Sequence, residues 1–172
     1  MRGGFSLLEV MVATVVSGII ITAAVATFVF MAGSSLRLEQ YSDMEGQSRQ
    51  LLQQFSQDAR QASNATWTDQ RTLNLTVGPD TITYAYSPAA GTFTRTRSGQ
   101  AVTMVSGITS FDFRAFQITG TELPLANSPA AAGPVTKMIQ ISLSLAQGNA
   151  AAGSTSSQLI SARCVLRNKK IN

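Results

Sequence analysis

The feature that most constrains the fold is an uncharged apolar run near the N-terminus, from Val10 to Ala32. The run holds 23 residues, and about 20 apolar residues are enough for a helix to cross a bilayer. A secretory signal, the first alternative, has an apolar region of only about 7–15 residues. A plain single-pass anchor, the second alternative, explains the run but not the acidic residue before it. The sequence therefore predicts a transmembrane helix at residues 5–32.

A single carboxylate, Glu9, lies at the start of this run. An acidic side chain near the middle of a bilayer helix costs about 2.5–3.5 kcal/mol by insertion scales, so such a residue usually has a partner. No Lys, Arg or His follows within two helical turns, and the sequence therefore predicts a partner outside this helix. A free α-amino group on a neighbouring copy or a related subunit, created by a cut before Phe5, would suit the carboxylate.

The N-terminal residues resemble the cleavage-and-methylation segment of type IV pilins and pseudopilins, with Arg2, then Gly4, then Phe5-Ser6-Leu7-Leu8-Glu9-Val10 ahead of an apolar helix. The resemblance implies that prepilin peptidase removes residues 1–4 as a leader. It also implies that the cut falls between Gly4 and Phe5, that the Phe5 amine is methylated, and that Glu9 acts in assembly. Gly18 matches a glycine common in that helix, whereas the proline often found in major pilins is absent.

An amphipathic pattern follows at residues 33–62, and its apolar positions recur at helical spacing. The members of this stripe are Tyr41, Met44, Ser48, Leu51, Phe55, Ala59 and Ala62. The pattern predicts that Leu51 and Phe55 pack the helix onto the remainder of the chain. Asp58 and Arg60 are interpreted as solvated residues.

After residue 62 apolar residues recur at every second position, which is the period of a β-strand, and Gly/Pro turns separate these stretches. The predicted strands include 72–77, 92–97, 101–105, 108–116, 135–145 and 159–166, with flexible loops at 117–134 and 148–157. A further strand is predicted where Ile82, Tyr84 and Tyr86 alternate with Thr and Ala. Strands in this order suggest an antiparallel meander. The predicted fold class is α+β: a long N-terminal helix, transmembrane in its first half and amphipathic in its second, packed on a small antiparallel β head at residues 63–172.

The residue inventory argues against an enzyme. The chain has no histidine, and its single cysteine, Cys164, excludes an intramolecular disulfide. Acidic residues of the head are scattered singly, so neither a metal site nor a cofactor is expected. Cys164 is predicted to be a small core residue. The aromatic residues at strand alternation are likewise predicted to be core: Tyr84, Tyr86, Phe93, Phe111 and Phe113.

The head is basic, with nine Lys or Arg and four Asp or Glu at residues 63–172. Arg163, Arg167, Lys169 and Lys170 form a candidate basic patch. A surplus of this size is more often solvated surface than a binding site. Nucleic-acid binding is therefore the less favoured interpretation.

Two further segments resemble J-type minor pseudopilins and W-type minor pilins: residues 58–62 at the helix end and residues 160–168 in the last strand. The chain is interpreted as a minor pilin or pseudopilin in the bacterial inner membrane, with its head in the periplasm or outside. Its implied partners are prepilin peptidase, other minor subunits and the major subunit. The alternatives are a DNA- or surface-binding module displayed on such a filament and a lone anchored domain. Secretion, pilus and DNA-uptake roles stay open.

Overall fold

The structure is a computed structural model that describes residues 6–149 and 154–170. It begins with α1, a helix of 55 residues at Leu7–Gln61. The other elements are β1 Asn64–Asp69, β2 Thr72–Val77, β3 Asp80–Ser87, β4 Thr92–Arg97, β5 Gln100–Val105, β6 Ile108–Phe116, β7 Glu122–Leu123, α2 Pro129–Val135, β8 Met138–Asn149 and β9 Ser154–Val165. The predicted α+β class is confirmed. The predicted leader 1–4 and Phe5 lie outside the described residues.

The chain divides into two compact units, of which the first is residues 1–39. Its described part is the N-terminal stretch of α1, where large apolar side chains such as Leu7, Ile19 and Phe30 are exposed. Within the described residues, α1 is the one helix long and apolar enough to cross a membrane. Its three threonine hydroxyls, those of Thr14, Thr22 and Thr27, donate to carbonyls of the same helix, and Thr22 Oγ1 donates to Gly18 O over 2.8 Å. Internal pairing of this kind suits hydrocarbon, where water is absent.

The second unit is residues 40–172, and here α1 buries one stripe. The stripe consists of Met44, Ser48, Leu51, Phe55, Asp58 and Ala59, and Ala62 continues it just after the helix; each is less than 4% exposed. Tyr41, which the sequence assigned to the same stripe, is 50% exposed. The apolar period therefore predicts the buried face from Met44 onward.

The strands form two antiparallel sheets, a five-stranded sheet in the order β1-β2-β3-β4-β5 and a four-stranded sheet in the order β7-β6-β8-β9. The first sheet is the expected meander. The second sheet was not expected, because side-chain alternation predicts a strand but not its partner. At the transition, the backbone N–H of Ile108 donates to Gly91 O over 3.0 Å, and β6 then pairs with β8 instead of β5.

Both predicted loops contain regular structure. The segment 117–134 holds β7 and most of α2, and Pro129 occupies the first turn of α2, where its missing N–H costs nothing. In the segment 148–157, β8 extends to Asn149 and pairs it with Ser154 at the start of β9. Strand pairing uses backbone groups, so Ala, Gly and Ser do not prevent it. Residues 150–153 of that predicted loop lie outside the described residues.

An aromatic cluster forms the centre of the second unit, which confirms the core interpretation. The Phe55 ring of α1 lies 5.1 Å from the Tyr84 ring of β3 and 6.2 Å from the Phe113 ring of β6. Phe93 of β4 lies 5.8 Å from Phe113. These contacts join α1 to both sheets. They also involve Trp67 of β1, a strand that the sequence pattern does not predict.

Candidate functional site

The helix α1 begins with a reciprocal pair of hydrogen bonds between Ser6 and Glu9. The Glu9 backbone N–H donates to Ser6 Oγ over 3.2 Å, and the Ser6 backbone N–H donates to Glu9 Oε2 over 3.1 Å. The Ser6 carbonyl accepts the first intrahelical bond, from Val10 N. Ser6 is therefore the N-cap, and the arrangement is a capping box of the S-x-x-E kind.

This geometry revises what the sequence suggested about Glu9. The sequence predicts a partner outside the helix because the helix has no cationic side chain near Glu9. In the structure the carboxylate also has a partner inside the chain, the N-terminal backbone of its own helix. A helix N-terminus carries a partial positive charge that favours a carboxylate. Ser6, three residues before Glu9, was the sequence signal that could have revealed it.

Glu9 shares a helix face with small side chains. The face is lined by Glu9, Val10, Ala13, Thr14, Ser17, Gly18 and Ile21. A β-carbon placed on Gly18 would have nothing within 4 Å among the described residues. Small residues allow close approach of another helix in a membrane. Gly18 is thus not required by the packing of its own described chain.

In the second unit, Asp58 lies in a buried polar cluster between α1 and the first sheet. Asp58 Oδ2 accepts a hydrogen bond of 2.6 Å from the Tyr84 hydroxyl and one of 2.7 Å from Arg95 Nε. Its second oxygen accepts from Gln54 Nε2 over 3.2 Å. Tyr84 and Arg95 are direct partners in the pairing of β3 with β4. One carboxylate therefore holds two strands against the helix.

The cluster changes the titration of its members. Burial raises the pKa of the Tyr84 hydroxyl well above its usual range, and the hydrogen bond to Asp58 raises it further. The hydrogen bond to Asp58 also raises the pKa of the Arg95 guanidinium. The interpretation of Asp58 as solvated is wrong. Its position three residues after Phe55 places it on the buried stripe, and this spacing is the sequence signal for its burial.

The candidate basic patch is divided by the structure. The Arg163 guanidinium lies 4.0 Å from the centre of the Phe116 ring and donates to Gln140 Oε1. Arg167 and Lys170 are exposed. Lys169 is 4% exposed and donates to the Gly133 carbonyl, and burial lowers the pKa of its ammonium group. The Lys169 ammonium group therefore points into the head and does not add to the basic surface.

Other cations of the head are held in ion pairs. Arg97 Nη2 lies 2.8 Å from Asp80 Oδ2, and Arg114 Nε lies 3.0 Å from Glu122 Oε1. Together with Arg95 and Lys169, these pairs reduce the cationic surface that the net charge implied. This leaves less positive surface for nucleic acid than the sequence suggested.

Cys164 is buried, as the sequence predicted, and burial raises the pKa of its thiol. A raised pKa keeps the thiol protonated and unreactive. Among residues 6–149 and 154–170, no group of three or more His, Cys, Asp or Glu side chains could hold a metal ion.

The N-terminal segment of this chain has a counterpart among known proteins. Residues 1–25 match the family model described as the prokaryotic N-terminal methylation motif. No curated protein matches the chain. The matched segment includes Gly4, Phe5, Ser6, Glu9 and Gly18. The chain therefore carries the motif of type IV pilin-like proteins, which are structural subunits processed by prepilin peptidase and anchored by an apolar N-terminal helix.

Proposed function

We propose that the chain is a minor pilin or pseudopilin, a structural subunit of a type II secretion pseudopilus or of a type IV pilus tip complex. Prepilin peptidase cuts between Gly4 and Phe5, and the new amine of Phe5 is methylated. The subunit stays in the inner membrane as a single-pass protein with its head on the periplasmic side. It then joins other minor subunits and the major subunit through its apolar helix.

The observation that carries the proposal is the combination of the motif with an acidic residue at the head of an exposed apolar helix. Glu9 lies inside the matched segment, and the apolar side chains that follow it are exposed. A helix that is apolar all round is buried in a membrane or among other helices. A carboxylate there favours a cationic partner, and the amine of a neighbouring mature subunit has that charge.

The resemblance of residues 58–62 and 160–168 to J-type and W-type proteins supports a minor subunit over a major one. In the structure these two segments lie side by side, since Asn168 Nδ2 donates to Gln61 O over 3.3 Å. The head has a closed core and buried polar groups that are used for packing. These properties suit a structural part.

The test is intact-mass analysis of the full chain produced with and without a prepilin peptidase. With the peptidase, the mature protein is expected to lack residues 1–4 and to carry one methyl group on Phe5. Gly4→Val is expected to block the cut because a branched side chain crowds the small-residue position. Gly3→Val, which changes the adjacent glycine, is the matched control and should be cut normally.

A mature chain that starts at Met1 in the presence of active peptidase, or one cut near Ala32, would contradict the proposal. The second result would identify the apolar run as an ordinary secretory signal. Normal cleavage of Gly4→Val together with failure of Gly3→Val would move the cut to another bond.

A further inference from the structure

We propose that Ser6 is a positioning residue for Glu9: through the capping box it fixes the carboxylate so that one oxygen caps the helix and the other meets the partner amine. The pairing with a partner rests on the proposed function. The cap itself belongs to the single chain and can be measured without any partner.

The two carboxylate oxygens of Glu9 differ in their hydrogen bonds. The Ser6 backbone N–H and the Ser6 hydroxyl both contact Glu9 Oε2, at 3.1 Å and 3.3 Å. Among the residues that the structure describes, no hydrogen bond to Oε1 is found. An ionised carboxylate accepts at both oxygens, so Oε1 can accept a further donor without breaking the cap.

The capping box also lowers the free energy of the single subunit. The first N–H groups of a helix have no partner within the helix, and an unpaired N–H in hydrocarbon costs several kcal/mol. The capping box satisfies the N–H groups of Ser6 and Glu9. The same contact places the negative charge at the positive end of the helix, where it is favoured. The free-energy cost of placing the Glu9 carboxylate in the membrane is therefore partly offset before any partner binds.

The capping box also favours association with a partner subunit. A glutamate side chain loses rotamer freedom when it is fixed by a partner, and that loss weakens binding. Because Ser6 already holds the Glu9 side chain, less freedom is lost on pairing. Removal of the Ser6 hydroxyl should therefore weaken assembly even though the Glu9 charge is unchanged.

Four variants separate the effect of the Ser6 cap from the effect of the Glu9 charge. Ser6→Ala removes the hydroxyl and keeps the carboxylate. Ser6→Thr keeps a hydroxyl and is the conservative rescue. Glu9→Gln keeps an N3 side chain that a capping box accepts but removes the charge, whereas Glu9→Leu removes both.

The first arm of the experiment measures amide exchange by NMR in the full mature chain in lipid nanodiscs. Ser6→Ala is expected to speed exchange of the Glu9 amide by about fivefold, the size of a typical N-cap loss. Ser6→Thr and Glu9→Gln should leave that amide close to its wild-type rate, since both keep the Ser6 or Thr hydroxyl. An unchanged exchange rate of the Glu9 amide in Ser6→Ala would show that the Ser6 hydroxyl does not cap the helix.

The second arm measures co-purification, from the same membranes, of other subunits that carry the N-terminal methylation motif. Ser6→Ala should lower the yield by about fivefold, and Ser6→Thr should restore it. In a Glu9→Leu background, Ser6→Ala should have no further effect. A merely structural role of Ser6 would instead give equal losses in both backgrounds, and that result would overturn the positioning role.

The two arms separate the inference from the proposed function. A wild-type chain that co-purifies with no such subunit would contradict the proposed function and, with it, the positioning role of Ser6. The exchange rates would still show whether Ser6 caps the helix. Assembly of Ser6→Ala at the wild-type level, with Glu9→Leu defective, would support the function and overturn the role of Ser6.

Discussion

Asp58 joins three elements through one side chain, because its carboxylate bonds to the Tyr84 hydroxyl and the Arg95 guanidinium on neighbouring strands. Tyr84 is fully buried beside it, and the Arg95 side chain is partly buried. Removing one member of such a buried pair is costly because the remaining charge is left uncompensated. The cluster therefore ties the orientation of α1 within the second unit to the pairing of β3 with β4.

The Tyr84 hydroxyl gives this cluster a pH dependence at alkaline pH. The pKa of Tyr84 is raised in the folded chain, whereas an unfolded tyrosine titrates near pH 10. Below about pH 10 both states hold the proton, and above it only the folded state does. The stability of the folded chain should therefore fall as pH rises above about 10, by at most about 1.4 kcal/mol per pH unit from this group.

We expect Tyr84→Phe to be less stable than wild type at pH 8, because Asp58 loses a donor, but to lose less stability between pH 10 and 11. The measurement is urea unfolding of the full chain in mild detergent, followed by fluorescence of Trp67, the single tryptophan. Tyr41→Phe, at a half-exposed site, is the matched control. Parallel curves for Tyr84→Phe and wild type across this range would contradict the assignment.

The residue scale was only partly predictable from sequence. Glu9 is conspicuous because it is the one charge beside a long apolar run. The partner that Ser6 supplies is visible in the S-x-x-E spacing, yet a search for opposite charges passes over it. Asp58 and Lys169 are buried, although the sequence predicts exposure for charged residues, because only the fold shows the partners that make burial tolerable.

At the scale of elements, α2 and β1 show how closely a short helix can approach a strand. A β-carbon placed on Gly133 would lie 3.1 Å from the Ala65 carbonyl and 3.4 Å from Thr66 Cα. Both are backbone atoms, which cannot move aside as a side-chain end can. The contact continues through Trp67 Nε1, which donates to Thr136 Oγ1 over 3.2 Å just after the helix.

We therefore expect Gly133→Ala to destabilise the chain. Overpacking typically costs about 1–3 kcal/mol and outweighs the gain of about 0.5–1 kcal/mol from replacing a helical glycine. The measurement is the urea midpoint followed by Trp67 fluorescence. Gly46→Ala in α1 is the matched control, since nothing lies within 4 Å of its added carbon, and it should stabilise the helix by up to about 1 kcal/mol. Equal stabilisation by both changes would show that α2 does not pack tightly on β1.

The elements themselves were largely predictable, because apolar period and turn residues are local properties. The pattern identified α1 and the strands β2 to β6, β8 and β9. β1 was missed because Asn64, Thr66 and Thr68 resemble a connecting segment until Trp67 is seen to pack on Phe113. The division into two sheets depends on contacts between distant strands, and no local pattern encodes those.

At the scale of the whole molecule, the second unit has its own core, which starts at Met44. We expect a fragment of residues 36–172 to be soluble and to unfold in one cooperative urea transition, by circular dichroism and Trp67 fluorescence together. Within it, Phe55→Ala should cost about 3–5 kcal/mol because the ring contacts both sheets. Gln53→Ala, on the exposed side of α1, is the control and should have little effect.

A fragment without amide protection or without coincident transitions would contradict an independently folding head. Equal effects of Phe55→Ala and Gln53→Ala would contradict the packing of this stripe. Either result would leave the cleavage prediction intact, since that depends on the N-terminal segment alone.

The meander of the first sheet also bears on the order in which the chain acquires structure. Each of its strands pairs with the next one along the chain, so every pairing closes a short loop, and short loops lose little entropy on closure. Chains rich in local contacts fold faster than those that depend on distant ones. The first sheet can therefore form early. Tyr84 and Arg95 are then already positioned to bond to Asp58 when α1 packs on the sheet.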